Sequence, residues 1–193
     1  MKARESGMPE EAYWQTFFSP EAMVERLLGA MDPAGDVVEF GCGYGTFTLP
    51  AARRTRGLVT ALDIEPAMVA RVAEQAMLAG LGNVRTALRD FVADGTELRS
   101  ATQAHAMVYN LLHLEQPVAL LSEARRILRP DGSLSVIHWR SDIPTPRGPS
   151  LDIRPTPAQC AAWMQEAGFA AIAPVDLTDL CPFHFGLVGR LIE

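Results

Sequence analysis

Only three cysteines, Cys42, Cys160 and Cys181, occur in 193 residues. An odd, widely spaced set offers no disulfide framework and no CxxC pair of the kind that builds a zinc site, so neither a disulfide scaffold nor a bound metal is expected. No window approaches the run of about 18 apolar residues that crosses a bilayer, which excludes a membrane span. The opening residues, MKARESGMPEEAYW, lack the apolar centre of a signal peptide, and the expected compartment is the reducing cytoplasm. Positive charge is also scarce: 17 basic residues stand against 23 acidic ones, a net charge of -6. A surface of that sign is a poor partner for phosphate backbones, so no nucleic-acid partner is expected. Internal repeats and low-complexity blocks are missing too.

What is present is an ordinary globular composition, 48% hydrophobic and 21% charged. It predicts one domain over residues 1–193, with residues 1–31 as a helical cap. A short helical piece over 9–18 carries Tyr13, Trp14, Phe17 and Phe18. "SPEAMVERLLGAM" follows, with Ser19 as N-cap and Pro20 at the first helical position. Strand and helix patterns then alternate. "DVVEF", "GLVTALD", "NVRTALR", "AHAMVYNLL" and "SLSVIHW" read as strands. "GTFTLPAARRT", "EPAMVARVAEQAMLAG" and "QPVALLSEARRIL" read as helices, and "RPDG" as a turn. Continuous apolar strands alternating with helices imply an α/β, mostly parallel sheet covered on both faces. The end departs from this. Pro144, Pro146, Pro149, Pro155 and Pro157 fall within a long loop over 140–157, which is better read as functional than as a connector. "TPAQCAAWMQEAG" is a helix with a capping box from Thr156 to Gln159. "AIAPVDL" and "PFHFGLVGRLI" are strands without an intervening helix, hence antiparallel.

The stretch "VVEFGCGYGTF" carries the chemistry. Gly41, Gly43 and Gly45 follow a strand, and Glu39 stands just before them. In an open parallel sheet, ligands bind at the carboxyl ends of strands. A glycine turn there brings backbone close to a ligand, and the next helix N-terminus offers free N–H groups. Dinucleotide enzymes use GxGxxG; here the last of those positions is Thr46, and the pattern is ExGxGxG. The next strand ends in Asp63, placed to accept both hydroxyls of a ribose. After the third, Asp90 and Phe91 could accept from and cover an adenine.

These motifs, "VVEFGCGYGTFT", "ALDIEPAMV", "LRDF", "YNLLH" and "LRPDGSLSVIHW", together resemble class I, seven-stranded S-adenosylmethionine-dependent methyltransferases. They are most similar to the small-molecule enzymes of the quinone-biosynthesis type. The resemblance covers residues 36–193. It implies a three-layer Rossmann-like fold with sheet order 3-2-1-4-5-7-6 and strand seven antiparallel. It further implies S-adenosylmethionine as cofactor. Glu39 and the loop Gly41, Cys42, Gly43, Tyr44 and Gly45 would hold the methionine part, Asp63 with Ile64 the ribose, and Asp90 with Phe91 the adenine. Asn110 and Leu111 would lie beside the sulfonium. The family often has an acidic residue before strand four, where this chain has Ala104 and His105.

The expected acceptor is a small molecule. "YNLLH" differs from the [DNS]PP[YF] loop of amino-methylating nucleic-acid enzymes, and no Pro-Cys nucleophile occurs. His113 and His138 are candidate catalytic residues at strand ends. Tyr13, Trp14, Trp139 and Arg154 are candidate acceptor contacts, with the N-terminal piece and the 140–157 loop expected as a lid. His184 cannot be placed beside the other histidines from sequence. "ARRTR" reads as solvated charge at a helix C-terminus. Two other classes stay open: a nicotinamide oxidoreductase, disfavoured by Thr46, and a cofactor-binding protein without catalysis.

Overall fold

Three strands are buried at every position: β1 (Val37–Phe40), β2 (Val59–Asp63) and β4 (Gln103–Tyr109). Strands of that kind need cover on both faces. The computed structural model describes residues 8–29 and 31–191 and supplies it. Seven strands lie in the order β3-β2-β1-β4-β5-β7-β6. β3 is Val84–Leu88, β5 Leu128–Trp139, β6 Ala170–Val175 and β7 His184–Arg190. β1 to β5 run parallel, and β7 runs antiparallel between β5 and β6. This is the sheet implied by the resemblance. Residues 1–7 and 30 of the cap expected over 1–31 lie outside the described residues.

Side chains alternate across the sheet. Val37, Met107, Tyr109, Ile137 and Trp139 face a core shared with α1 (Glu11–Gln15), α2 (Pro20–Leu28) and α3 (Thr48–Arg54). Val72 of α4 (Pro66–Leu78) packs with Ala61 and Cys42. Val38, Phe40, Ala106, Val108, Leu134 and Val136 face α5 (Pro117–Ile127) and α6 (Pro157–Glu166). The odd-numbered face also holds a polar chain. Fully buried His105 bridges the Ser133 and Ser135 hydroxyls at 2.7 and 2.8 Å, and Tyr109 Oη meets Ser135 at 2.7 Å. His105 lies inside β4 rather than ahead of it, and the two hydroxyls satisfy both of its buried ring nitrogens, a structural role for the position where the resemblance led to an acidic residue being expected.

Local expectations differ at four points. Ser19 sits at the N-cap of α2 but makes no side-chain cap; its backbone N–H donates to Leu180 O at 3.0 Å, pinning the helix start to the 176–181 loop. The glycine stretch stays outside α3, which begins at Thr48. "RPDG" does not reverse the chain. It is a bulge within β5, where Gln103 pairs with Leu128 and His105 already pairs with Ser133. Asp131 takes φ 63° there, and a Cβ on Gly132 would fall 2.7 Å from Arg129 O, so turn residues serve an excursion whose two ends pair with one neighbour. Strand four ends at Tyr109, because Asn110 turns left-handed with φ 59° while its N–H donates to Ile137 O at 2.7 Å. The capping box of α6 forms as read, with Thr156 and Gln159 satisfying each other's backbone N–H.

Candidate active site

The carboxyl ends of β1, β2, β4 and β5 open into one cavity of about 540 Å³, within the usual range for small-molecule sites. Its floor is the glycine turn. Gly41, Gly43 and Gly45 have φ of 70°, 51° and 76°, values that L side chains rarely adopt. Asp63 holds this turn in place: Oδ2 accepts from Gly43 N at 2.8 Å, and Oδ1 accepts from Glu65 N at 3.0 Å. Burial nonetheless raises the Asp63 pKa, outweighing both hydrogen bonds.

Glu39 is 2% exposed and accepts from the Thr48 hydroxyl of α3. Burial pushes its pKa up to about 8, with nearby Asp63 adding to the rise. Cys42 is buried, and its thiol pKa is raised, first by burial and then by Glu39. A thiol held protonated is no nucleophile. Asp90 lines the cavity and caps its own turn, Oδ1 accepting from Ala93 N at 3.0 Å. Phe91 stands edge-on to Phe40 at 5.3 Å. Ile64, Asn110 and Leu111 also line the space. Asn110 Oδ1 is buried with no protein partner among the described residues, the kind of orphaned acceptor that a ligand donor satisfies.

The opposite wall is aromatic. Trp14 donates from Nε1 to Thr46 Oγ1 at 3.0 Å and meets Trp139 at 6.5 Å between ring centroids. Phe47 stands edge-on to Tyr109 at 4.9 Å. His113 lines the cavity, and its Nδ1 lies 3.2 Å from Nε2 of His138 behind it. Burial lowers the pKa of both, that of His138 to about 3. His184 stacks 4.0 Å from Trp139, and neither of its ring nitrogens has a partner among the described residues. No group of three metal-ligating residues occurs among the described residues.

Several sequence candidates lie elsewhere. Tyr44 turns out of the cavity and donates its hydroxyl to Pro9 O at 2.8 Å, while Gly45 faces Val72 of α4. Tyr13 is 45% exposed, its ring against Phe17. Arg154 spends its guanidinium inside the 140–157 loop, donating to Pro149 O, Arg140 O and Thr145 Oγ1 at 2.6–2.7 Å. Conversely, Met8, Phe47, Tyr109 and Pro149 line the cavity without having been singled out. Phe47 and Tyr109 flank motifs and could have been found as aromatic residues at strand and turn ends. Met8 carried no signal.

A methyl donor with an ammonium, a ribose diol and a sulfonium fits this donor set: two buried carboxylates, a side-chain-free turn and an orphaned amide oxygen. Residues 37–132 match the family model for a methyltransferase domain. The chain is similar in structure to a SAM-dependent methyltransferase from Aquifex aeolicus, with a TM-score of 0.80 and 20% identity, covering 95% of this chain and 94% of that one. The chain belongs to the class I S-adenosylmethionine-dependent methyltransferases. Among curated relatives, this family member is similar to nocamycin O-methyltransferase of Saccharothrix syringae, 34% identical over 129 residues, covering 62% of this chain and 43% of that protein. It is also similar to a 23S rRNA (uracil(1939)-C(5))-methyltransferase of Stenotrophomonas maltophilia, 34% identical over 99 residues, covering 50% and 21%. The chain thus spans less than half the length of these relatives. Acceptors of both kinds occur among them, so family membership does not exclude nucleic acid. No helix among the described residues is long and apolar enough to cross a membrane.

Proposed function

We propose that this protein transfers the methyl group of S-adenosylmethionine to a small, largely apolar acceptor. The observation that carries the reading is a single cavity continuous from the carboxylates Glu39 and Asp63 to the wall of Trp14, Tyr109 and Trp139. Donor and acceptor can therefore share one continuous space. Within it, Glu39 and the turn at Gly41 and Gly43 take the methionine part, and Asp63 the ribose. Asp90 and Phe91 take the adenine, and Asn110 and Leu111 lie beside the sulfonium. The bound cofactor supplies an already activated methyl group. The protein's part is alignment and exclusion of water. Met8, Pro9 and Trp14 from one end of the chain and Arg147 to Pro149 from the proline-rich loop supply the cover. Aromatic faces near a sulfonium add cation–π attraction.

The rRNA-enzyme similarity favours a second reading, methylation of RNA. The net charge of -6 weighs against it. Calorimetry with S-adenosylhomocysteine and with NADH tests the cofactor: the first should bind and the second should not. Methyl-labelled cofactor incubated with a cell's small-molecule extract and with its ribosomal RNA tests the acceptor. Label is expected in the small-molecule fraction; label in RNA refutes the acceptor reading. Binding without transfer to either fraction favours a cofactor-binding protein without catalysis.

A further inference from the structure

We propose that His138 locks His113 in the Nδ1–H form, so that His113 Nε2 presents a bare lone pair as general base for an acceptor hydroxyl. This rests on the methyl-transfer reading for its chemistry and on hydrogen-bond geometry for the lock. The chain of reasoning starts at a backbone carbonyl. His138 Nδ1 lies 3.2 Å from Trp139 O. A carbonyl oxygen only accepts, so Nδ1 of His138 carries the hydrogen. In a neutral ring its Nε2 is then an acceptor. That nitrogen lies 3.2 Å from His113 Nδ1, which must therefore donate. The remaining nitrogen of His113, Nε2, is left with its lone pair, on a ring that lines the cavity. The reverse arrangement would set two lone pairs, His138 Nδ1 and Trp139 O, against each other in a fully buried site, which is costly.

The surroundings keep the pair neutral. His138 is fully buried with Phe185 and His113 against its ring, and the charges that reach it, from Arg154 and from a protonated His113, are positive. His184, buried near by, is subject to the same Arg154. Among the described residues, the groups that act on the His138 ring are the Trp139 carbonyl, His113 and Arg154, and burial is what acts on His113. A triad-like relay of this kind usually ends on a carboxylate that stabilises imidazolium. Here it ends on a carbonyl, which orients without favouring the charge. Such a base is weak and suits an acceptor whose proton is itself acidic. The aromatic wall adds flatness. The geometry thus points to a phenolic or enolic hydroxyl on an apolar ring. In the transfer, the acceptor oxygen bonds to the methyl carbon as its proton passes to His113 Nε2. The carbon–sulfur electron pair stays on sulfur, and the ring afterwards returns its proton to water. His113 is the catalytic residue and His138 a positioning residue.

Long-range proton–nitrogen spectra of histidine-labelled protein, with S-adenosylhomocysteine present, read the tautomers directly. His113 should show a protonated Nδ1 and a bare Nε2 at pH 7, the form that free imidazole side chains disfavour. In His138→Phe it should revert to Nε2–H. A wild-type His113 carrying its hydrogen on Nε2 overturns the lock without any variant having to fold. For the chemistry, para-substituted phenols serve as acceptor probes beside a matched aryl thioether. His113→Ala should lower kcat by about 10²-fold or more, with the loss shrinking as the phenol becomes more acidic. Wild-type transfer to the thioether alone overturns the hydroxyl assignment. Failure of S-adenosylhomocysteine to bind overturns the cofactor reading while leaving the tautomer result standing.

Discussion

Cofactor binding should release a proton, and in the proposed arrangement Glu39 should be its source. Its carboxyl is buried at the end of β1, with one oxygen held by Thr48, and burial raises its pKa from an ordinary 4.5 to about 8. At pH 7 it is therefore about nine-tenths protonated in the free protein. A cofactor ammonium needs the carboxylate. Ionising Glu39 at pH 7 costs about 1.4 kcal/mol, or about tenfold in affinity. Calorimetry of S-adenosylhomocysteine in buffers of different ionisation enthalpy counts the protons: close to one should leave per ligand bound at pH 7. The dissociation constant should fall about tenfold per pH unit from 6 towards 8 and then level. Glu39→Gln should bind weakly and release none. The free protein gives an independent check. A pKa raised on folding contributes stability that is fully present below 4.5 and is lost as pH rises towards 8. The stability difference between Glu39→Gln and wild type should therefore shift in favour of the variant across that window. Equal proton release by wild type and Glu39→Gln would refute the reasoning, since the proton would then come from another group.

Other substitutions separate holding the turn from touching the ligand. Asp63→Ala removes the acceptor of Gly43 N and Glu65 N as well as the expected ribose partner; it should weaken S-adenosylhomocysteine by at least about tenfold at roughly 1.5–3 kcal/mol per charged hydrogen bond, read by calorimetry. Gly43→Val should fold yet fail to bind, because the new Cβ sits at φ 51° only 3.1 Å from Met8 Cε, displacing the N-terminal cover; normal binding would show that the cover is not needed. Arg154→Met should loosen the 145–149 segment at a cost on the order of 2 kcal/mol, measured by thermal unfolding, and should abolish the protection from hydrogen exchange that this segment is expected to gain with S-adenosylhomocysteine.

The sheet was legible because its signals are local. Strand runs, proline at helix starts and a glycine turn with carboxylates at fixed offsets each express a short-range constraint. What failed was reach. Tyr44 and Arg154 sit in or beside the right loops, but a long side chain chooses its partner from the tertiary surroundings, and each found backbone carbonyls. "RPDG" has turn chemistry whether the chain reverses or bulges; only the pairing of both flanks with β4 decides. His113 and His138 were each visible at a strand end. Their contact was not, because it exists only through the β4–β5 pairing that sets Tyr109 against Ile137. Phe17 and Phe18 read as part of a lid, yet both are buried in the core with Trp14. Removing residues 1–18 would therefore open the core along with the cavity.

The strand order itself sets out the proposed chemistry in a line. Asp90 and Phe91 follow β3, Asp63 ends β2, Glu39 and the glycines end β1, Asn110 to His113 follow β4, and Trp139 ends β5. Since the sheet runs β3-β2-β1-β4-β5, acidic and ribose-directed groups occupy one half, and the aromatic wall with its histidines the other. Trp139 then joins both covers to the second half. It meets Trp14 and Phe17 from the N-terminal segment. A Cβ on Gly148 would lie 2.8 Å from its ring, so the proline-rich loop passes against it with no side chain between. Its other neighbour is His184 of β7. Two segments far apart in sequence thus rest on one indole beside the dyad. In the proposed reading, where these segments cover the cavity, displacing either one repacks that indole and so perturbs the acceptor half.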